Sequence, residues 1–341
     1  MRKVDVFNHI YPRPYYDRMM ALAPTLKDIG KRVRNIPMLM DLDERFRVMD
    51  RFDDYSQVLS LPTPSFEVFT NASASTELAR AANDGMAELV RKYPDRFAGF
   101  VAALPFADPD ASVRELHRAI DDLGARGFQM FTNVAGKPIS SPELLPFFET
   151  IVAYDLPIWL HPYRGAEMAD YRSESRSEYE IWWTFGWPYE TSVAMARLVF
   201  AGYFDRFPAL KIITHHMGAM APYFAGRIGP GWDQLGARTT DVDYSPVLKR
   251  LAKRPLDYFK MFYADTALFG AYDATVCGLQ FFGVGHTLFA SDAPFDPEKG
   301  PMYIRETIAI VDRLPMDDAD RERVYWRNAA SLLKLDAVVR Q

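Results

Sequence analysis

The sequence predicts an α/β fold, a single closed (β/α)8 barrel of the TIM type that forms one domain over residues 1–341. Short apolar runs rich in β-branched and aromatic residues alternate with longer stretches of helical periodicity. We count eight such runs and find no segment of linker composition between them. Eight strands that alternate with helices favour one closed barrel over two separate domains.

The predicted strands are distributed along the whole chain. They cover residues 3–7, 56–61, 98–104, 127–131, 157–160, 211–215, 261–265 and 286–291. Helices are predicted between them, for example over 75–93 and 110–123. The second of these follows Asp108, a suitable N-cap, and Pro109, which fits a first helical turn.

Two segments depart from the regular alternation. The stretch from about 11 to 54 is too long for a simple loop, so we predict a helical insertion after the first strand. Near the other end, residues 327–335 read R-N-A-A-S-L-L-K-L and place apolar residues at helical spacing. This pattern predicts a C-terminal helix packed outside the barrel.

Composition and charge limit the classes of partner. The net charge of −5 and the sequence pI of about 5.8 disfavour nucleic acid and anionic membranes, so we expect a small-molecule partner. No apolar run approaches the roughly 20 residues of a spanning helix, and no secretion signal follows Met1. The single cysteine, Cys277, excludes an intramolecular disulfide. These features predict a cytoplasmic protein.

Four polar residues lie at the carboxyl ends of predicted strands. His9, His161 and His216 each follow a strand, and Asp292 ends the eighth in the segment L-F-A-S-D-A-P. Barrel enzymes build their active sites at this end of the strands. The alternative is that each is an ordinary polar residue at a strand end, but their common position favours a shared site.

Three of these four residues are of the types that bind a divalent metal. His9, His161 and Asp292 would supply two imidazoles and a carboxylate, and catalytic zinc commonly takes three protein ligands. Strand alternation places Asp5, Phe7 and His9 on one face of the first strand, so Phe7 is expected to point into the same mouth.

The sixth strand ends in two histidines, His215 and His216, which must point to opposite sides if the strand continues. Only one of them can face the pocket. A histidine near a metal but not bound to it suits general acid or base catalysis, because its pKa lies near neutrality. We assign this role to His216, while a hydrogen bond to loop backbone suits His215.

Aromatic residues and one arginine follow the fifth strand. Trp182, Trp183, Phe185 and Trp187 lie within six residues, which predicts a lid or pocket wall for a flat apolar ligand, or alternatively a subunit contact. Arg164 is a candidate for pairing with a substrate carboxylate, although a solvated loop arginine is the simpler interpretation.

With these residues in place, the chain resembles the amidohydrolase-related family of aminocarboxymuconate semialdehyde, γ-resorcylate and 5-carboxyvanillate decarboxylases over nearly its whole length. The segments that carry the resemblance are D-V-F-N-H at 5–9, W-L-H-P at 159–162, G-W-P-Y-E-T-S-V-A-M-A-R-L at 186–198, F-D-R-F-P-A-L-K-I-I-T-H-H-M-G at 204–218, G-R-I at 226–228, F-A-S-D-A-P-F at 289–295 and the terminal N-A-A-S-L-L.

The resemblance implies a metal, usually zinc and in some members manganese, with His9, His161 and Asp292 as ligands and His216 as the catalytic histidine. It also implies a homodimer. Relatives carry histidine or glutamate where this chain has Phe7, whose benzyl group offers no lone pair. Three interpretations follow: a three-ligand metal site, a metal-free pocket in which Phe7 packs against an aromatic substrate, or a binding protein without catalysis.

The leading functional hypothesis is metal-assisted, non-oxidative decarboxylation of an aromatic or unsaturated carboxylic acid, with Asp292 or His216 delivering a proton to carbon. The first alternative is a hydrolase or hydratase that activates water on a ring or carbonyl carbon, with a metal or with His216 and Asp292 alone. The second alternative is a non-catalytic ligand-binding barrel.

Overall fold

The computed structural model describes residues 1–335 and shows a ring of parallel strands surrounded by helices. Residues 336–341 of the predicted domain lie outside the described residues. The strands are β1 (Lys3–His9), β2 (Tyr55–Ser60), β3 (Phe97–Phe100), β4 (Phe128–Phe131), β5 (Asn133–Val134), β6 (Lys137–Pro138), β7 (Ile158–His161), β8 (Ile212–Thr214), β9 (Tyr263–Asp265) and β10 (Thr287–Leu288). The short β5 and β6 form a separate antiparallel hairpin.

The other eight strands form the barrel that the sequence predicts. Strands β1, β2 and β3 pair in parallel, as do β4, β7, β8, β9 and β10. Two parallel bridges join these two groups into a ring, one between Ala102 and Phe128 and the other between Asn8 and Ala293. Each predicted strand therefore has an observed counterpart, and the ladder continues from β10 back to β1.

Several strands end earlier than predicted. The third ends at Phe100 and the eighth at Leu288, whereas the apolar pattern continues to residues 104 and 291. The apolar pattern continues because the residues beyond these strand ends are still buried beneath the barrel mouth, although they no longer belong to the regular strand ladders. At the end of β10 the chain enters a turn in which Asp292 has a φ of 62°, a conformation that no strand allows.

Helices surround the barrel and fill the insertion. They are α1 (Arg13–Leu22), α2 (Ile29–Val33), α3 (Leu42–Met49), α4 (Ala72–Lys92), α5 (Pro109–Asp121), α6 (Leu145–Tyr154), α7 (Ile181–Thr184), α8 (Gly186–Phe200), α9 (Tyr203–Arg206), α10 (His215–Gly218), α11 (Ala225–Trp232), α12 (Ser245–Arg250), α13 (Pro255–Phe259), α14 (Tyr272–Phe282), α15 (Pro301–Arg313), α16 (Asp318–Glu322) and α17 (Asn328–Leu333). Within residues 1–335, no helix has both the length and the apolar content needed to cross a membrane.

The caps of two outer helices show how local sequence sets their ends. The Asp108 side chain accepts a hydrogen bond from the Ala111 amide, and Pro109 occupies the first turn of α5, as predicted. Helix α4 begins three residues before the predicted start because Asn71 caps it by accepting from the Ala74 amide. Each such cap contributes about 1 kcal/mol to stability.

The insertion matches its prediction, whereas the C-terminal helix forms as predicted but caps one end of the barrel instead of packing along its outside. The insertion after β1 contains α1, α2 and α3, with a 3-10 turn at Pro37–Leu39. At the other end, buried residues of α17, including Leu333, join one apolar cluster with the barrel-interior side chains of Val6 and Trp159. Helix α17 lies against the amino ends of the strands, where Asn328 donates to the Thr287 carbonyl. It therefore closes the barrel end opposite to the predicted site.

Candidate active site

A cavity of about 770 Å³ opens at the carboxyl ends of the barrel strands. Its floor includes His9, His161, His216 and Asp292, so the four polar residues predicted at strand ends lie in one hollow. Each of them is at most 8% exposed. These residues are far apart in the sequence, but each follows a strand, and the structure brings them together in space.

A β-bulge in β1 determines which side chains face this hollow. The register with β2 runs from Asp5 opposite Gln57 to Asn8 opposite Leu59, so β1 contains one extra residue. Phe7 joins the interior apolar cluster, while the Asp5 carboxylate accepts from the Tyr55 hydroxyl. The prediction that Asp5 shares a face with Phe7 and His9 is wrong, because the extra residue breaks the alternation.

Asp292 lies between two imidazoles. Its Oδ1 is 3.0 Å from Nε2 of His9, and its Oδ2 is 3.5 Å from Nε2 of His216. The other ring nitrogen of His9, Nδ1, is 3.2 Å from the Ser60 hydroxyl, which in turn donates to the Asn8 carbonyl. Strands β1, β2, β8 and β10 thus position one continuous chain of polar groups.

Within this hydrogen-bonded series of polar groups, the charge is concentrated on Asp292 and His216. Burial raises the pKa of Asp292, but the hydrogen bonds from His216 and His9 outweigh burial, and the pKa lies well below its usual value. Burial lowers the pKa of His216, but the hydrogen bond to Asp292 and the charges of Asp292 and Asp265 raise it overall. The pair therefore favours a carboxylate beside a protonated imidazole.

A short turn at the end of β8 places His216. His216 and Met217 both have left-handed backbone angles, with φ values of 56° and 53°. The Asp265 carboxylate holds this turn, since its Oδ1 accepts from the His216 amide at 2.9 Å and its Oδ2 lies 2.5 Å from Nδ1 of His215. Burial raises the pKa of Asp265 to about 7 against the opposing charge of His216. Of the two adjacent histidines, His216 lines the cavity and His215 does not, as predicted.

Phe7 lies beneath the cavity floor. Its side chain is 0% exposed, and its ring stacks on His215 with a centroid distance of 3.3 Å. It also contacts the rings of His9 and His161 edge to face, at 4.6 Å and 5.4 Å. The expectation that Phe7 packs against a substrate is wrong, because the histidine rings separate it from the cavity.

The wall of the cavity is aromatic. Trp182, Trp183 and Trp187 line it, as the sequence predicts, together with Phe269 from the loop after β9 and Tyr303 from helix α15. Phe185 is 69% exposed and does not line it. Part of the aromatic cluster thus forms a pocket wall.

The prediction for Arg164 is wrong. Its guanidinium is 3.1 Å from the Glu190 carboxylate and also donates to the Ala169 carbonyl, and it does not line the cavity. Two other arginines, Arg32 and Arg176, line the mouth instead. Sequence reasoning missed both, because nothing in the periodicity of the insertion or of the loop after β7 indicates which way these segments fold.

The family model for amidohydrolases matches residues 5–335 of this chain. The chain belongs to the amidohydrolase family. A γ-resorcylate decarboxylase from Polaromonas sp. is 33% identical over 307 residues, which is 87% of this chain and 89% of that protein.

Solved structures extend the similarity to three dimensions. A dihydroxybenzoic acid decarboxylase from Polaromonas sp., crystallised with manganese and the inhibitor 2-nitroresorcinol, has a TM-score of 0.78 and 30% identity, covering 98% of this chain and 97% of that chain. A 2,6-dihydroxybenzoate decarboxylase in complex with 2,6-dihydroxybenzoate has a TM-score of 0.79 and 28% identity, covering 98% and 99%.

The metal that the family resemblance implies does not fit the donors of this amidohydrolase as they are arranged. Among residues 1–335, no group of three or more histidine, cysteine, aspartate or glutamate side chains is placed to hold a metal ion. His9 and Asp292 bind each other at 3.0 Å, and the adjoining side chain of Phe7 offers no electron pair. The Phe7 ring packs edge to face against both His9 and His161.

A buried network supports the site of this amidohydrolase from below. The Asp5 carboxylate accepts from the Ser291 amide at 3.1 Å and from the Phe7 amide at 3.2 Å, and so ties the ends of β10 and β1 together. On the other side, the buried guanidinium of Arg45 donates to the His9 carbonyl and to Oε1 of Gln57. These bonds fix the backbone that carries His9 and Asp292.

Proposed function

We propose that this protein catalyses the non-oxidative decarboxylation of an aromatic carboxylic acid and is therefore a carboxy-lyase. The observation that carries the proposal is the pairing of His216 with Asp292 on the floor of a cavity whose wall is aromatic. Relatives that span nearly the whole chain are named as decarboxylases of dihydroxybenzoic acids. The aromatic wall supports a flat substrate, and the names of these relatives support a hydroxylated aromatic acid.

The reaction requires a proton donor at a ring carbon. Nε2 of His216 transfers its proton to the ring carbon that bears the carboxylate, and a ring hydroxyl supplies electron density to that carbon. The bond between this carbon and the carboxylate then breaks, its electron pair restores the aromatic ring, and carbon dioxide leaves. His216 regains a proton from water. One proton is thus consumed for each carbon dioxide released.

We assign different roles to the two catalytic candidates. Asp292 stays ionised, because hydrogen bonds from His216 and His9 lower its pKa, so it suits stabilisation of the imidazolium better than proton donation. His9 holds the other carboxylate oxygen and fixes its orientation. Of the two proton donors that the sequence allows, His216 is the one we assign.

The walls and the mouth of the cavity suit this substrate. Trp182 and Trp183 offer flat apolar surfaces for the ring. Arg32 lies exposed at the mouth, and among residues 1–335 the hydrogen bonds that it donates go to the carbonyl groups of Phe295 and Asp296, so its positive charge is available to an anionic substrate. Electrostatic attraction by such a charge concentrates carboxylates at the entrance.

The sequence predicts a divalent metal, zinc first and manganese second, and manganese is present in a similar decarboxylase structure. When bound, such an ion polarises the carboxylate and the neighbouring oxygen. Zinc in this chain remains a prediction. Because the donors His9, His161 and Asp292 are not arranged to hold an ion, we derive every catalytic step from the side chains alone.

Assembly and location remain predictions as well. We infer a homodimer or higher homo-oligomer, which is supported by the exposed aromatic rings of Phe185 and Tyr189 beside the cavity, and a cytoplasmic location. Analytical ultracentrifugation at micromolar concentration tests the assembly, since a monomer across the whole concentration range would contradict it.

The function is tested with a panel of hydroxybenzoates and dihydroxybenzoates, each incubated with the purified protein in water labelled with oxygen-18. Release of carbon dioxide and formation of the decarboxylated phenol, without label in the phenol, is the expected result. Labelled product without carbon dioxide would indicate a hydrolase or hydratase instead. Binding of the acids without any turnover would indicate a non-catalytic barrel and overturn the proposal.

A further inference from the structure

The deepest part of the site is filled by a hydrocarbon ring. Phe7 is completely buried, and its ring lies within 6.0 Å of four imidazoles, measured between ring centroids: 3.3 Å from His215, 4.6 Å from His9, 5.4 Å from His161 and 6.0 Å from His216. The ring therefore occupies the space on which these histidines converge. A benzyl group provides no electron pair to an ion.

The position of this ring is fixed from both sides. The Phe7 carbonyl accepts from the Asp292 amide at 2.8 Å, and the Phe7 amide donates to Asp5 at 3.2 Å. On the opposite face, the stacked ring of His215 is held by Asp265 at 2.5 Å. Withdrawal of Phe7 to admit an ion would break the stack and leave a void in a packed interior.

Two of the donors around Phe7, His9 and Asp292, are already bonded to each other. Asp292 is engaged through Oδ1 by His9 and through Oδ2 by His216. His161 is engaged through Nδ1 by the Pro162 carbonyl. An ion bound here would have to separate His9 from Asp292, and the side chain of Phe7 would supply no ligand.

We propose that this amidohydrolase carries out its reaction without a resident metal, with the chain of His9, Asp292 and His216 providing the charge balance and the proton. Phe7 and His215 together replace the ion as the rigid floor of the site. The inference rests on the proposed decarboxylation for the identity of the reaction, but its statement about metal content stands independently.

Metal content and metal affinity test the inference directly. Wild-type protein purified without chelator is analysed for manganese and zinc by mass spectrometry and titrated with Mn²⁺ and Zn²⁺ by calorimetry. The same measurements are made on Phe7→Glu and Phe7→His, which introduce a donor, and on Phe7→Leu, which is apolar and does not. Circular dichroism and thermal unfolding establish which variants are folded, and two donor variants are used so that the loss of one is not decisive.

We expect far less than one ion per wild-type chain, no saturable binding to wild type or to Phe7→Leu, and one ion per chain in a folded donor variant. The gain in affinity should be at least about tenfold, the lower end of the usual effect of changes around a metal site. One tightly bound ion per wild-type chain would overturn the inference. Metal-free wild type together with donor variants that also bind nothing would overturn the assignment to Phe7.

Activity assays separate this inference from the proposed function. Carbon dioxide release by wild type should persist after dialysis against EDTA and should not rise when Mn²⁺ is added. Loss of activity in EDTA with recovery on adding Mn²⁺ would contradict metal independence while supporting decarboxylation. Absence of turnover under both conditions would count against decarboxylation and leave the binding measurements to decide the metal question.

Discussion

The ring of Phe7 lies parallel to the imidazole of His215, with planes 10° apart and centroids 3.3 Å apart. This stack connects β1, which carries His9, to the turn after β8, which carries His216. Asp265 holds the far side of the stack and also accepts from the His216 amide. His216 is thus placed by residues that do not line the cavity.

Replacing Asp265 with asparagine should slow catalysis while leaving substrate binding nearly intact. The substitution Asp265→Asn keeps the size of the side chain but presents a donor where His215 Nδ1 or the His216 amide requires an acceptor. We expect kcat to fall by about 10–100-fold, the range produced by displaced supporting groups, with KM within a few-fold of wild type. Steady-state kinetics measure this split. Asp121→Asn, on the exposed carboxylate that binds Tyr154, is the matched control and should change neither constant.

Removal of His216, the proposed proton donor, should lower kcat further than Asp265→Asn does. His216→Ala is expected to lower kcat by about 10²–10⁴-fold, the usual contribution of a positioned acid or base. The dissociation constant of an aromatic acid, measured by calorimetry, should change only slightly, because the tryptophan wall remains. His117→Ala, on an outer helix and hydrogen-bonded to Tyr154, should behave as wild type. Retention of more than a tenth of kcat by His216→Ala would exclude His216 as the donor.

Arg32 tests the electrostatic part of substrate recognition. Arg32→Gln keeps the hydrogen-bonding ability of the side chain toward the Phe295 and Asp296 carbonyls but removes its charge. We expect KM to rise by about 10–100-fold, equivalent to one charge-assisted hydrogen bond, with kcat little changed. The increase should shrink in high salt, since screening already weakens the wild-type attraction. The same substitution at Arg164, which is paired with Glu190 outside the cavity, should leave the salt dependence of KM unchanged.

The buried Asp5 should give a characteristic pH dependence of stability. Burial raises its pKa from 3.8 to about 6 despite hydrogen bonds from Ser291 and Tyr55. The folded state therefore binds the proton more tightly than the unfolded chain, and the stabilising contribution, present in full below pH 3.8, is lost as pH rises through 6. The free energy of unfolding of wild type minus that of Asp5→Asn should fall by on the order of 3 kcal/mol between these limits.

Urea denaturation of both proteins at a series of pH values measures this difference. The comparison cancels the many carboxylates that both proteins share, so it isolates Asp5. A difference that rises with pH would show that the hydrogen bonds from Ser291 and Tyr55 lower the pKa of Asp5 by more than burial raises it.

The barrel can be predicted from the sequence because each strand and helix is marked by the pattern of residues within its own segment. Apolar runs and helical periodicity identify each strand and the insertion, and Asp108 with Pro109 marks a helix start to within one residue. Strand ends are less accurate, since residues such as Ala290 remain apolar from burial after the pairing has ended. Convergence of His9, His161, His216 and Asp292 follows from strand order alone, which is why it could be predicted.

The errors concern features that depend on three-dimensional context. The bulge in β1 turns Asp5 away from Phe7, and no local pattern indicates an extra residue there. Arg164 pairs with Glu190, which lies 26 residues further along the chain, so its partner could not be foreseen. The burial of Phe7 depends on the His215 ring that covers it, and this contact forms only when β1 and β8 enter the same barrel.

The most direct test of decarboxylation at this site is the reaction in deuterium oxide. Phenol formed from a hydroxybenzoate by wild-type enzyme should carry one deuterium, at the ring carbon that lost the carboxylate, in amounts equal to the carbon dioxide released, and His216→Ala should form almost none. Wild-type turnover that yields no carbon dioxide, or product without deuterium at that carbon, would contradict the account.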